Sequence, residues 1–286
     1  MKKVFLSISA MLLVGSVGMA QVNMSDVNQV GNLDVSIVKQ QGHNNESDVD
    51  QLGDRNTSEV YQGIKPSKAN KPVAYDALRN SAVVMQIGND NGAFISQNNK
   101  DNEAFQTQTG NKNKAKIWQD QVKGAPQATR GSDWATQVQT GNLNVATIDQ
   151  GTNGNEKPKV GSVFSSTQLA AVAAVPVPVS PNYNNDAIQT QNGNGNTAYA
   201  SQGGVQNHSV QNQTSPGAIG NTSNHYQYGT ENTATTTQNG TMLLDNTLQI
   251  GKYNTATVMQ TGNGHESIAY SKGNNNSITV TQNNGM

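Results

Sequence analysis

Gln249-Ile-Gly-Lys-Tyr-Asn-Thr-Ala-Thr-Val-Met-Gln260 is the stretch that decides how the chain folds. A turn, Gln249 to Asn254, leads into a strand, Asn254 to Gln260, and the Gln that closes the strand opens the next copy. Gln227, Gln238, Gln249, Gln260, Ser271 and Gln282 stand 11 residues apart without slippage. A short fixed period of this kind marks a stacked, quasi-one-dimensional fold, in which each unit buries itself only against its neighbours. Function is therefore expected in the stack, not in a pocket.

Outward from that unit, the pattern Asn-x-(Ala/Ser)-x-(Val/Ile)-x-Gln begins at Asn23 and runs through strands 23–29, 34–40, 45–51 and 56–62. It restarts in phase at Asn80, Asp133, Asn185 and Asn221, for 19 strands in all. Two copies, 22 residues, bring the chain back above its starting point. The pattern predicts an all-β, two-sheet β-solenoid of about nine and a half rungs, roughly 45 Å long at ~4.8 Å per rung. The long insertions, 63–79, 120–132 and 151–184, all follow even-numbered strands and so should leave from one edge, while a small insertion after Gln213 leaves from the other. The longest contains Leu169-Ala-Ala-Val-Ala-Ala-Val-Pro-Val-Pro-Val179, whose prolines disfavour a helix interior and a central strand alike.

Composition fits a thin stack better than a conventional core. Hydrophobic residues make up 33% of the 286, charged residues only 13%, and the net charge is −1. A polar chain with so little charge has weak self-repulsion and is disposed to associate. Cysteine is absent, which removes disulfides, thiolate metal sites and cysteine nucleophiles together.

Residues 1–20 read as a signal peptide: Lys2 and Lys3, an apolar run from Val4 to Val17, then Gly18-Met19-Ala20 as a small-x-small cleavage site. Loss of Lys2 and Lys3 would take the net charge to −3, and no basic patch suggests nucleic acid. The domain division is then 1–20 signal peptide and 21–286 a single solenoid.

Alternate strand positions share a face, so Asn45, Ser47, Val49 and Gln51 point inward while Glu46, Asp48 and Asp50 point out. Small residues such as Ala93, Ala104 and Ala256 hold the third position, and Val49, Ile95, Ile117 and Val258 the fifth. Buried amides are costly unless paired, and stacked identical amides pair along the axis. The expected glutamine members of these ladders are Gln29, Gln40, Gln51, Gln86, Gln97, Gln108, Gln119, Gln139, Gln150, Gln191, Gln227, Gln249, Gln260 and Gln282. The asparagine members are Asn113, Asn144, Asn232, Asn254 and Asn276. Turn glycines are expected at Gly31, Gly42, Gly53, Gly88, Gly110, Gly141, Gly193, Gly229, Gly251, Gly262 and Gly273. The last strand, Ser277-Ile278-Thr279-Val280-Thr281, holds neither charge nor proline to guard its edge, and is the expected polymerising edge.

Other chemistry is thinly represented. His43, His208, His225 and His265 are scattered, and His225 and His265 read as substitutions within the repeat rather than metal ligands. Asp48 and Asp50 read as a solvated pair, and Asn89-Asp90-Asn91-Gly92 as a repeat turn without the closing Glu of a calcium loop. No enzyme, cofactor, metal or small-molecule substrate is expected. Outward Phe94, Phe105, Trp118, Tyr199 and Tyr270 offer surface contacts. Thr233, Thr235, Thr237, Thr255, Thr257, Met259, Ser277, Thr279 and Thr281 form a partial threonine grid of the ice-binding kind, which the β-propensity of Thr also explains.

The unit Gln108-Thr-Gly110-Asn-Lys-Asn113-Lys-Ala115-Lys-Ile-Trp-Gln119 closely resembles the curlin repeat of bacterial curli subunits. The resemblance implies an extracellular functional amyloid of the biofilm matrix on a Gram-negative surface. Its subunits polymerise with themselves on a nucleator subunit after crossing the outer membrane unfolded through a dedicated pore. Leu243 in place of Asn, Asp245 in place of Ala and Ser271 in place of Gln depart from the pattern. Those departures, the insertions and the rung number leave open a major subunit or a nucleator. A monomeric solenoid adhesin or ice-binding protein is the alternative.

Overall fold

The structure is a computed structural model that describes residues 22–65, 73–74, 77–119, 130–151 and 182–284. The signal-peptide segment 1–20, most of the three long insertions and the proline-containing stretch after Leu169 lie outside the described residues.

Two parallel sheets face each other. The first contains ten strands, from Met24–Asn32 through Glu46–Asp54 and onward to Thr255–Asn263 and Ser277–Asn283. The second contains eleven, of which nine lie on its main path, from Val35–Gln40 to Glu266–Asn274. The described residues thus form a two-sheet β-solenoid, with successive strands of the chain alternating between sheets. Pairing is parallel and in register at every step, so Ala234 sits below Ala256, Gln238 below Gln260 and Gly240 below Gly262. Any one-residue slip would turn the whole inward column to solvent, so the alternation of small, apolar and amide residues locks the register.

Several strands run further than the seven residues expected. Leu244–Lys252 and Thr255–Asn263 carry the ladder through the turn glycines. Most corners are made by two residues of positive φ, for example Gly251 at 127° and Tyr253 at 58°. A Cβ on Gly251 would lie 1.9 Å from the Gly273 carbonyl oxygen, so this glycine is required by close approach as well as by φ. The non-glycine left-handed corner, which recurs at Arg55, Lys112, Leu143 and Met242, was not legible in the sequence because residue type varies there.

The turns on the insertion edge stack as well. Gly42–His43, Ala77–Leu78 and Asn99–Lys100 form a short parallel sheet of their own. Arg130–Gly131 pairs with Asn182–Tyr183, so residues closing each long insertion have rejoined the column before the next strand begins. The small insertion between Ser215 and Thr222 lies on the opposite edge.

The core is thin and changes character along the axis. Toward the N-terminal end it is aliphatic, with Val49, Val60, Ile95, Ile117 and Ile148 fully buried over a floor of alanines. On the outward side of the second sheet, Tyr226 and Leu248 are nevertheless buried and pack with Tyr199, Tyr228, Ile250 and Tyr270. Burial pushes the Tyr199 and Tyr226 phenols well above their ordinary value. The aromatics expected outside are therefore not free surface at Tyr199. Phe94 and Trp118 stack with centroids 4.4 Å apart, while Phe105 lies 5.0 Å from Trp134.

Candidate functional site: amide columns and open ends

Two glutamine columns run the length of the stack, one per sheet. In the first, Gln29, Gln51, Gln86, Gln108, Gln139, Gln191, Gln213, Gln238, Gln260 and Gln282 are linked side chain to side chain at 2.6 to 3.0 Å. In the second, Gln40, Gln62, Gln97, Gln119, Gln150, Gln202, Gln227 and Gln249 are linked at 2.8 to 3.0 Å. Every Nε2 except those of the last members, Gln249 and Gln282, donates to the Oε1 one rung nearer the C-terminal end, so both columns share one polarity. The second proton of each amide goes across the stack. Gln97 donates to the carbonyls of Ser81, in the first-sheet strand before it, and of Asn102, immediately ahead of the first-sheet strand after it.

The asparagines at the strand starts have the opposite polarity. Asn144 and Asn276 donate their backbone N–H to the Oδ1 of Asn113 and Asn254, one rung nearer the N-terminal end. Asn232 stands below Asn254 in the same column, with the side-chain link at 2.9 Å. Each bond of this kind contributes about 1 kcal/mol net, while an orphaned buried amide costs about 1–3 kcal/mol, so the columns enforce register more than they add stability.

Sequence reasoning missed two features. A third glutamine column, Gln106, Gln137, Gln189 and Gln211, replaces valine at the fifth position of the first sheet, with links of 2.8 to 2.9 Å. Its signal was present, since these glutamines fall in one register. Gln106 sits against Val84, and its Oε1 has no hydrogen-bond partner. Further along lies a buried polar cluster. His225 contacts Ser209 Oγ through Nδ1 at 2.9 Å and Thr236 Oγ1 through Nε2 at 2.7 Å. Thr236 donates to Asp245 at 2.6 Å, as does Ser267 at 3.0 Å. His225 and Asp245, which read as isolated departures 20 residues apart, are thus one unit, because the solenoid places them on neighbouring strands of the second sheet.

Glu46, Asp48 and Asp50 are outward, as expected, whereas Asp133, Asp149 and Asp245 are buried. Burial, and then Asp50, Asp26 and Glu46, raise the Asp48 carboxyl above its ordinary value. Asp90 lies in a repeat turn and pairs with Arg55 at 2.7 Å. The hydrogen bond that His208 Nδ1 donates to Asp186 Oδ2, at 2.9 Å, raises the His208 pKa above its ordinary value. Of the threonine grid, Thr235, Thr257 and Thr279 are in register on the first sheet.

Both ends are open among the described residues. Ser277–Asn283 pairs only with Thr255–Asn263, and Met24–Asn32, exposed throughout, pairs only with Glu46–Asp54. Uncapped edges with free backbone groups template further pairing.

The family model of the curlin associated repeat matches residues 245–283. Residues 245–283 carry a curlin repeat. The matched span holds strands of both sheets, including the edge strand Ser277–Asn283, and both glutamine columns pass into it. Beyond that span the same Gln, Gly and Asn positions recur in register down to Gln29 and Gly31. The matched span therefore includes the edge strand at the C-terminal end of the stack. No curated protein matches the chain.

Proposed function

We propose that this protein is a secreted structural subunit that assembles end to end into extracellular curli-type amyloid fibres of a bacterial biofilm matrix. The observation that carries this reading is the matched polarity of its two open ends. The C-terminal end presents the Gln282 amide as a donor, and the N-terminal end presents the complementary Gln29 and Gln40 Oε1 acceptors. Stacking between chains then repeats the stacking within one. The curlin repeat at residues 245–283 supports the same reading. On this proposal the partners are further copies, a nucleator subunit and an outer-membrane secretion pore.

Incubating the purified chain without denaturant and examining it by electron microscopy and fibre diffraction tests the proposal. Fibres with a cross-β reflection near ~4.7 Å are expected. A protein that stays monomeric would sink it and favour the alternative of a solitary adhesin or ice-binding solenoid.

A further inference from the structure

The ends of the stack fix how two copies can join. The two sheets are offset by half a rung. Gln62 of the second sheet donates to the carbonyls of Glu46, in the first-sheet strand before it, and of Asn80, immediately ahead of the first-sheet strand after it, and Gln202 does the same with Asp186 and Asn207. Each second-sheet strand thus lies, in height, between two first-sheet strands. With ten strands in the first sheet and nine on the main path of the second, both outermost strands belong to the first sheet.

That parity constrains the joint. If Ser277–Asn283 stacked directly on Met24–Asn32 of the next copy, the first sheet would be continuous. The second would then step from Glu266–Asn274 to Val35–Gln40 across about two strand spacings, ~9–10 Å, leaving both of those edges unpaired. A half-turn of the incoming copy about the fibre axis removes the gap. Its Met24–Asn32 then stacks on Glu266–Asn274, and its Val35–Gln40 stacks on Ser277–Asn283.

We propose that successive copies are related by this half-turn, so that the first sheet of one subunit continues as the second sheet of the next. The inference rests on the end-to-end assembly proposed above and specifies its register. It continues the 11-residue phase unbroken, pairing Ile268 with Asp26, Ser271 with Gln29, Gly273 with Gly31 and Gln282 with Gln40 of the incoming copy.

Three local features fit this register. Inside the stack the place a Cβ would take on each turn glycine is filled by the carbonyl of the next rung, as at Gly229 beneath Gly251 and Gly251 beneath Gly273. Around Gly273 that place meets only the Asn276 amide at 3.6 Å, leaving room for the Gly31 carbonyl of the next copy. Ser271 Oγ, buried and without a hydrogen-bond partner, stands where it can donate to the incoming Gln29 Oε1. Val280, partly buried at the edge, meets the incoming Val38, aliphatic on aliphatic.

The absence of native cysteine makes the test direct. Two double variants, D26C/I268C and D26C/T279C, place thiols on the outward face at opposite ends of the chain, so a link can form only between copies. In-register residues on paired strands lie close enough for a disulfide or a short bifunctional thiol reagent. After assembly and cross-linking, D26C/I268C fibres are expected to run as covalent multimers on denaturing gels, with D26C/T279C chains remaining monomeric. Linkage through T279C alone, through both pairs, or through neither in fibres that have formed would overturn the half-turn while leaving fibre formation standing. Failure of the unsubstituted chain to form any fibre would overturn both.

Discussion

Ser271 lies directly above Gln249 in the second sheet, and there the amide column stops. Gln249 Nε2 donates across the stack to the Thr233 carbonyl at 2.9 Å, and the buried Ser271 hydroxyl is left unpartnered. Ser271→Gln is expected to extend the column and raise unfolding free energy by about 1 kcal/mol, the scale of one net hydrogen bond. Urea denaturation of the soluble chain, read before fibres form, measures it; unchanged or lower stability would show that the site cannot seat the longer side chain.

Two glycine substitutions should behave in opposite ways. Gly251→Ala drives a Cβ onto the Gly273 carbonyl at a φ of 127°, and a loss of more than about 2 kcal/mol is expected, since backbone strain adds to the clash. Gly92 has no positive φ and open space at the same point, so Gly92→Ala should be neutral or stabilising by up to about 1 kcal/mol. Paired denaturation curves decide between a requirement for glycine at the turn and a general tolerance.

Asp245→Ala, although it restores the usual residue of the repeat, should destabilise by about 3 kcal/mol. It deprives the buried Thr236 and Ser267 hydroxyls of their acceptor and removes the carboxylate that lies 3.4 Å from His225 Nε2. Replacing the hub of the cluster, with His225→Val, Thr236→Val and Asp245→Ala, should recover part of that loss, because it removes the buried imidazole and carboxylate together and leaves only the small hydroxyls of Ser209, Ser267 and Thr247 to find new partners. A triple variant no better than the single would show that the cluster is not a unit.

Stability should fall as pH rises, on two separate limbs. Asp48, whose folded pKa is raised above 3.8, binds its proton more tightly in the folded state, so stability increases as pH drops through the raised value. His208, raised above 6.5 by Asp186, contributes stability that is full below 6.5 and is lost as pH climbs through its folded pKa. Each limb is expected at about 0.2–1 kcal/mol, as for solvent-screened charges. In denaturation across pH, Asp48→Asn should flatten the acid limb and His208→Gln the upper one.

Charge at the exposed edge should block growth without unfolding the subunit. Ile278→Asp with Val280→Asp places two carboxylates on the inner side of the last strand, where both side chains are only partly buried. Fibre elongation from preformed seeds should slow at least ~10-fold, a barrier of about 1.4 kcal/mol or more. Growth at the parent rate would show that this edge is not used.

The 11-residue period by itself determined the class of fold, the strand phase, the in-register columns of Gln29 to Gln282 and the edge on which insertions sit. Those features depend on local alternation and on stacking like upon like, and both are written in residue spacing. Four things only the tertiary structure decided. The pairing of His225 with Asp245, and the burial of Tyr226 and Leu248 on an outward position, depend on which strands become neighbours and on what each face meets. The left-handed corners at Arg55 and Tyr253 carry no residue signature, because the requirement falls on the backbone. The half-rung offset between sheets appears only in cross-stack bonds such as Gln62 to Glu46 and Asn80. A period counts strands, but the height of one sheet against the other is set by where each buried amide finds its second acceptor.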